Sequence, residues 1–216
     1  MSTINTLRED ICRFAGSLHA RGLTHGSTGN ISARTPDGGL LVTPTGSSFM
    51  TLDPARLSHF DADMTLIDGE KPTKEMPLHR AFYDTRSSAG AIVHLHSAHS
   101  VALSMMPDAD EDDFLPPLTP YPIMKLGRVK LLPYFLPGDA AIGEAIRGLA
   151  GKRSAVMLAN HGPVVAGKDL ESAVYAIEEL EASAQLAMLT RDLKPRHLTD
   201  EQVTELVETF DVEWDR

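Results

Sequence analysis

The sequence predicts an α/β protein, a three-layer α/β/α sandwich whose central sheet is mostly antiparallel. Three observations support this prediction: short apolar runs typical of buried strands, helical spacing of apolar residues between them, and turn signals between neighbouring runs. The turn signals include Pro36-Asp-Gly-Gly39 and the Asp68-Gly69 pair. Because hairpins join antiparallel strands, we expect antiparallel pairs to outnumber strand–helix–strand crossovers.

Composition limits the possible functions of the chain. Its 216 residues are 42% hydrophobic, enough for one core, so residues 1–216 are expected to form a single domain. A formal net charge of −10 argues against binding to nucleic acid or to an anionic membrane. Cys12 is the only cysteine, and the N-terminal segment shows no long apolar run. We therefore expect no disulfide, signal peptide or membrane span, and a cytoplasmic location.

Apolar periodicity and turn residues place the secondary structure along the chain. The first helix is expected to end near Arg21-Gly22, and Thr6-Leu-Arg-Glu9 has the pattern of a capping box. We place a hairpin turn at 67–70 and an extended segment, excluded from the central sheet by its prolines, at 115–122. Other helices are predicted from Pro77 onward and at 97–106, 140–150, 170–188 and 198–207; strands are predicted at 31–34, 40–43, 57–63, 91–96, 129–134, 154–159 and 164–167.

The most informative stretch runs from Gly90 to Val101 and contains His94-Leu-His96. Side chains alternate along a strand, so the two histidines are expected to point the same way. Convergent imidazoles can bind a transition metal if one or two further donors approach. Asn160-His161-Gly162 and Thr73-Lys74-Glu75 could supply them. A pair of hydrogen-bonded strand histidines is the simpler alternative for the His-x-His motif alone.

Two further segments are rich in small residues. Thr24 to Asn30 and Thr43-Pro-Thr-Gly46 both combine glycine with hydroxyl side chains, and glycine lets backbone amides approach a ligand closely. Each segment is either a plain loop or an anion-binding turn.

Taken in order, these motifs resemble the class II aldolase/adducin family. The resemblance rests on the Thr28-Gly-Asn30 loop, the Thr-Pro-Thr-Gly46 turn, Glu75, His94-Leu-His96 and Asn160-His161-Gly162, and it extends from the first helix to about Thr190. It implies a mostly antiparallel sheet between helical layers, and a homotetramer with sites near subunit interfaces.

The resemblance also implies a role for each matching residue. His94, His96 and His161 match three zinc-binding histidines, and Glu75 matches an acid/base residue that also binds the metal when substrate is absent. The ion is expected to be Zn²⁺, one per subunit, with Mn²⁺ or Co²⁺ as alternatives. The residues that match substrate phosphate loops are Gly29, Asn30, Thr45, Gly46, Thr73 and Lys74.

Two segments are most similar to the branch of the family that decarboxylates 3-oxo-tetronate 4-phosphates, namely Pro72-Thr-Lys-Glu75 and Thr119-Pro-Tyr-Pro-Ile-Met124. Where the sugar-phosphate aldolases have two serines, this chain has Thr73-Lys74, and a lysine suits a more negatively charged substrate. The alternative is that Lys74 is a solvated surface residue. The expected reaction gives dihydroxyacetone phosphate and CO2 through a metal-bound enediolate.

Alternative functions share much of this site. A fuculose- or rhamnulose-phosphate aldolase would use the same metal and phosphate groups. A 4-epimerase is disfavoured because the epimerases have aspartate where Glu75 stands, and a non-catalytic adducin-like domain is disfavoured because all four expected ligands are present. Tyr121 is the candidate for the tyrosine that the aldolases bring from a neighbouring subunit, with Tyr134 as a rival.

Overall fold

An eight-stranded mixed sheet forms the centre of the computed structural model, which describes residues 3–214. The strands are β1 (Asn30–Arg34), β2 (Leu40–Val42), β3 (Ser58–Phe60), β4 (Leu66–Asp68), β5 (Ala91–His94), β6 (Lys130–Leu132), β7 (Ala155–Leu158) and β8 (Gly162–Gly167). Their order across the sheet is β4-β3-β2-β1-β5-β8-β7-β6. Within the described residues every neighbouring pair is antiparallel except β6 and β7, which confirms the predicted antiparallel character.

Seven α-helices accompany the sheet in the described part of the chain. They are α1 (Ile4–Ala20), α2 (Met76–Thr85), α3 (Ala98–Ser104), α4 (Pro120–Leu126), α5 (Ala140–Gly148), α6 (Leu170–Thr190) and α7 (Asp200–Thr209). The helix predicted from Pro77 onward is α2, with the proline in its first turn, where no backbone donor is lost.

Both faces of the sheet are covered by apolar side chains, and β5 shows how. Ala91 and Val93 belong to one buried cluster, which includes residues of α1, α3 and α6. Ile92 belongs to a second cluster, which includes residues of α2 and α5. Because side chains alternate along a strand, His94 points to the same face as Ile92, towards the layer that contains α2.

Two predicted local features are wrong. The first helix is capped by Thr3, whose Oγ1 accepts a hydrogen bond from the Thr6 amide at 3.2 Å, so Thr6 lies inside the helix and does not start a capping box. Asp68 ends strand β4, and the hairpin turn lies earlier, at 61–65. Gly69 is needed for a different reason: its φ is +83°, and a Cβ atom there would lie 2.0 Å from the Leu57 carbonyl oxygen.

The proline-rich segment is bent and not extended between residues 115 and 119, where the Leu118 amide donates to the Pro116 carbonyl. Pro120 begins α4, contrary to the prediction of an extended chain to residue 122. The reason is that the first helical residues need no intrahelical donor, so Pro120 and Pro122 fit the first turn. The segment stays outside the sheet, as predicted.

No helix within residues 3–214 is long and apolar enough to cross a membrane. Cys12, on α1, is partly buried against the larger apolar cluster. Residues 1–2 and 215–216 of the predicted domain lie outside the described part of the chain.

Candidate metal centre and adjacent loops

The end of β5 brings two histidines together. His94 is the last residue of the strand and is fully buried, and its Nε2 lies 3.2 Å from Nε2 of His96. Nδ1 of His94 lies 2.8 Å from the Pro163 carbonyl oxygen. Because a carbonyl can only accept, Nδ1 carries a proton and Nε2 of His94 faces the centre of the site.

The turn between β7 and β8 supplies His161. Asn160 has a φ of +58°, a conformation that asparagine tolerates better than most residues. Gly162 is required by close packing, because a Cβ atom there would lie 2.0 Å from the Leu95 carbonyl oxygen. The Asn-His-Gly sequence thus allows the turn to lie against the end of β5, where His161 faces His94 at a ring-centroid distance of 5.0 Å.

The start of α2 supplies Glu75. Glu75 is the N-cap residue, but its side chain makes no capping hydrogen bond and is free to point into the site. Its Oε2 lies 3.3 Å from Nε2 of His94, and its Oε1 lies 3.1 Å from Nε2 of His161. The carboxylate therefore bridges two histidines that come from different strand ends.

These four side chains fit a divalent metal ion. One ligand atom from each of Glu75, His94, His96 and His161 lies within 4.8 Å of the others. Tetrahedral ligands at about 2.0–2.1 Å from a small ion are about 3.3 Å apart, close to the separations of 3.1–3.3 Å observed. Oε1 of Glu75 and both ring nitrogens of His161 are buried without a hydrogen-bond partner. Buried polar atoms are seldom left unpaired, so a cation held between Oε1 of Glu75 and Nε2 of His161 would account for these two atoms.

The protonation states also suit a cation. Burial alone would raise the pKa of Glu75, but the imidazoles of His94 and His161 and the Asn30 amide lower it well below its ordinary value. Burial, together with His94 and His161, lowers the pKa of His96 to about 3. The site therefore offers an ionised carboxylate and a neutral imidazole at pH 7, the forms that bind metals.

A buried hydrogen-bonded chain adjoins Glu75. Asn30 donates from Nδ2 to Oε2 of Glu75 at 2.7 Å, and its Oδ1 lies 2.5 Å from Nε2 of His79. Nδ1 of His79 lies 2.8 Å from Oγ of Ser32, which is 3.0 Å from the Tyr83 hydroxyl. His79, Ser32 and Tyr83 were not among the predicted site residues. Their spacing was nevertheless a signal: Ser32 follows Asn30 at the two-residue spacing of a strand, and His79 follows Glu75 at the four-residue spacing of a helix.

The three segments that resemble phosphate loops lie at one end of the sheet. The Thr45 amide donates to the Lys71 carbonyl and the Thr73 amide to the Thr43 carbonyl, so the second and third segments run side by side. The first segment is adjacent, because the Ile31 amide donates to the Thr43 hydroxyl. Gly29 has a φ of +83°, and a Cβ atom there would lie 2.9 Å from the His94 carbonyl oxygen. The first and third segments therefore adjoin the histidine cluster, through Gly29 and Glu75, and the second segment lies beside both of them.

The individual side chains of these segments differ in exposure. Thr73 is buried, whereas Thr45, Gly46 and Lys74 are exposed. Asn30 is buried, and its amide contacts Glu75 and His79.

The two candidate tyrosines lie on the protein surface. Tyr121 is on α4, which packs against α6 and α7, and 56% of its surface is exposed. Tyr134 follows β6 and is 58% exposed. His99 lies in the first turn of α3 and is hydrogen-bonded to Glu181, apart from the metal-ligand group.

The sheet topology and this His/Glu centre define a class of metal-binding α/β enzymes, and comparison with known proteins identifies it. Residues 9–188 match the family model described as the Class II Aldolase and Adducin N-terminal domain. The chain belongs to this family.

Three relatives illustrate its position in the family. A 3-oxo-tetronate 4-phosphate decarboxylase of Cupriavidus necator is 44% identical over 99% of this chain and 100% of the relative. The L-fuculose phosphate aldolase of Escherichia coli K12 is 31% identical over 95% of this chain and 94% of the relative. The crystal structure of YgbL from Escherichia coli, described as a candidate aldolase/epimerase/decarboxylase, superposes with a TM-score of 0.91 at 43% identity, over 94% of this chain and 98% of that one. These relatives and the His/Glu centre indicate a metal-dependent lyase.

Proposed function

We propose that the protein is a zinc-dependent decarboxylase that converts a 3-oxo-tetronate 4-phosphate to dihydroxyacetone phosphate and CO2 in sugar-acid catabolism. The observation that carries the proposal is the position of Lys74 next to Glu75, on a loop that adjoins the histidine cluster through Glu75 and runs beside the segment of Thr45 and Gly46. The near full-length similarity to decarboxylases of this substrate supports it.

Each part of the substrate has a candidate partner. We assign the phosphate to the segments of Gly29, Thr45 with Gly46, and Thr73, whose backbone amides and hydroxyls can donate hydrogen bonds to an anion. We assign a second anionic group to the Lys74 ammonium. When bound by His94, His96 and His161, Zn²⁺ would act as a Lewis acid towards negative charge that develops on the substrate oxygens.

Glu75 is assigned the proton transfer. Breaking the C1–C2 bond releases CO2 and leaves the electron pair on C2, so one proton must be added there to give dihydroxyacetone phosphate. Glu75 is ionised in the metal-free protein, because the lowered pKa keeps its proton off. Glu75 must therefore take a proton from solvent before delivering it to C2.

The direct test is a coupled assay of both products from 3-oxo-erythronate 4-phosphate. We expect equal amounts of dihydroxyacetone phosphate and CO2, loss of both after chelation, and recovery with zinc. A zinc-loaded protein that releases no CO2 would contradict the proposal.

Lys74→Ser tests the assignment of the second anionic group. Loss of one charge-assisted hydrogen bond should raise KM for the phosphorylated acid about tenfold and change kcat less. Lys71→Ser is the matched control, because Lys71 is also exposed and lies three residues earlier on the same segment. An unchanged KM in Lys74→Ser would make Lys74 an ordinary surface residue.

Aldol cleavage is the second candidate, favoured by the 31% identity to an L-fuculose phosphate aldolase. Both reactions break a carbon–carbon bond and leave negative charge next to a carbonyl. L-fuculose 1-phosphate should therefore be assayed beside the acid, and cleavage of the ketose phosphate alone would establish the aldolase.

We also propose the wider organisation of the molecule. It is a single-domain three-layer α/β/α sandwich, cytoplasmic, that assembles as a homotetramer with sites near subunit interfaces. Tyr121, or else Tyr134, would then reach the site of a neighbouring subunit, for which its exposure leaves it available. Sedimentation velocity tests the assembly, and the kcat of Tyr121→Phe and Tyr134→Phe discriminates between the two tyrosines.

A further inference from the structure

The buried chain beside Glu75 has a single possible direction. The Glu75 carboxylate only accepts, so the Nδ2 group of Asn30 must face it and the amide oxygen must face His79. His79 therefore donates from Nε2, which leaves Nδ1 as the acceptor of the Ser32 hydroxyl hydrogen. The only hydrogen of Ser32 is then used, so the Tyr83 hydroxyl donates to Ser32. Four consecutive hydrogen bonds donate in the same direction, and they end at Oε2 of Glu75.

The surroundings of the hydrogen-bonded chain keep its members in these protonation states. His79 is fully buried, and burial, with a further contribution from His94, lowers its pKa to about 3, so its ring is neutral at pH 7. Ser32 is also fully buried, and Tyr83 is 8% exposed. Burial raises the pKa of Tyr83, so its hydroxyl keeps its proton. Each of these side chains thus has its hydrogen-bond partner inside the protein, where water does not compete for it.

We propose that His79, Ser32 and Tyr83 are positioning residues that act through Asn30 to set the orientation of the Glu75 carboxylate. With Oε2 occupied by the Asn30 amide, Oε1 is the oxygen left facing His161 without a hydrogen bond. The hydrogen-bonded chain thus makes the two carboxylate oxygens different: Oε2 accepts from Asn30, whereas Oε1 lies 3.1 Å from Nε2 of His161 without a hydrogen bond. This inference deepens the proposed function of the site and rests on it for the catalytic consequence alone.

The first measurement is the tautomer of His79 in the full-length protein, read by long-range proton–nitrogen NMR of the histidine rings. The expected result is a neutral ring protonated on Nε2. A ring protonated on Nδ1, or on both nitrogens, at pH 7 would overturn the proposal, whatever reaction the protein catalyses.

The second measurement compares two substitutions of one side chain. His79→Gln can keep a donor near the position of Nε2, whereas His79→Leu cannot. We expect the visible spectrum of the Co²⁺-loaded protein to shift in His79→Leu and to stay near that of the parent protein in His79→Gln. His59→Leu is the matched control, because His59 is 8% exposed and lies on β3, and its spectrum should not change. An unshifted spectrum in His79→Leu contradicts the proposal.

The third measurement is steady-state kinetics with the substrate of the decarboxylation assay. His79→Leu should lower kcat about 30-fold with KM little changed, and His79→Gln should recover most of the loss. Tyr83→Phe, which removes only the last donor, should lower kcat a few-fold, whereas Tyr175→Phe, which removes an exposed hydroxyl, should not. Equal kcat values for the Leu and Gln variants would reduce His79 to a structural residue. If the parent protein releases no CO2, the proposed function fails, while the tautomer and the Co²⁺ spectra still decide the positioning role.

Discussion

Glu75 and Glu181 are both buried beside histidines, but they differ in whether both of their carboxylate oxygens accept hydrogen bonds. Oε1 of Glu181 accepts from the backbone amide of His99 at 2.9 Å and from its Nδ1 at 2.8 Å, and Oε2 accepts from the Ser100 amide at 2.9 Å. Glu75 has one oxygen held by Asn30 and the other buried without a hydrogen bond. The two are buried to a similar extent, 7% and 9% exposed.

This contrast favours the proposed functional role of Glu75 and a structural role for Glu181. Glu181 stabilises the first turn of α3, where backbone amides need acceptors, and both of its oxygens are used. At Glu75 the unused oxygen lies among imidazole nitrogens that also lack partners, which is a stable arrangement only if something else binds there. Satisfaction of hydrogen bonds, and not burial or a histidine neighbour, separates the two sites.

The largest losses of metal binding and activity are expected from substitutions in the metal-ligand group that includes Glu75. His94→Ala or His161→Ala should abolish most metal binding, because two histidines and a carboxylate remain where four ligands converge. Activity should fall about 1,000-fold or more, since a Lewis acid contributes several kcal/mol. Metal content by mass spectrometry and kcat/KM check this, and His99→Ala should retain its metal.

Glu75→Gln should keep most of the metal, because three histidines remain, but should lower kcat about 100-fold or more through loss of the proton-transfer group. The measurement is kcat for CO2 release by the metal-loaded variant. A near-normal kcat would remove Glu75 from the chemistry and leave it a ligand only.

Glu181→Gln is the matched substitution at the other site. The side-chain NH2 group of the glutamine would face the backbone amides of His99 and Ser100, which are themselves donors. We therefore expect a loss of about 1–3 kcal/mol of unfolding free energy. Metal content and kcat should be those of the parent protein. Urea unfolding measures the loss, and a variant with lower kcat but full stability would erase the distinction between the two glutamates.

A weaker effect, again on the Glu75 side, is a pH dependence of stability. The pKa of His79 is about 3 in the folded protein, lowered by burial, and about 6.5 in an unfolded chain. The stability that neutral, buried His79 contributes is fully present above pH 6.5, the pKa of histidine in an unfolded chain. It is lost as the pH falls towards 3, the pKa in the folded protein. Between pH 7 and pH 5 the metal-free parent protein should therefore lose about 2 kcal/mol more than His79→Gln. Urea unfolding at pH 7 and pH 5 measures these losses. If the parent protein and His79→Gln lose the same free energy of unfolding between the two pH values, the lowered pKa of His79 is contradicted.

The sequence predicted the four residues that the fold brings together because each lies in a short local motif. Strand alternation predicts that His94 and His96 point the same way. The strand β5 ends at His94, short of the predicted residue 96, but the Nε2 atoms of the two histidines do lie 3.2 Å apart. The short motifs around Glu75 and His161 stand at the ends of elements that the turn residues mark. The antiparallel sheet was predictable for the same reason, from hairpins.

Other features depend on contacts that no local pattern encodes. Pro120 could begin a helix or continue an extended chain, and packing of α4 against α6 and α7 decides. The Asp68-Gly69 pair is typical of a turn, but the glycine is required by the neighbouring Leu57 carbonyl. His79 is typical of a structural histidine in isolation, and only the fold joins it to Asn30.

The carbonyl oxygen of Pro163 accepts two hydrogen bonds, one from Nδ1 of His94 and one from the backbone amide of Leu95. One backbone oxygen therefore sets the orientation of a ligand and also helps to hold the pairing between neighbouring segments of chain. Insertions and deletions should be excluded at 159–163 over evolutionary time, since a shift of one residue would move a ligand and break the pairing together. The acidic loop at 107–113 holds no residue of the metal-ligand group and is tied to β6 by a backbone hydrogen bond from the Leu131 amide to the Glu111 carbonyl, so a change of length there should move no ligand.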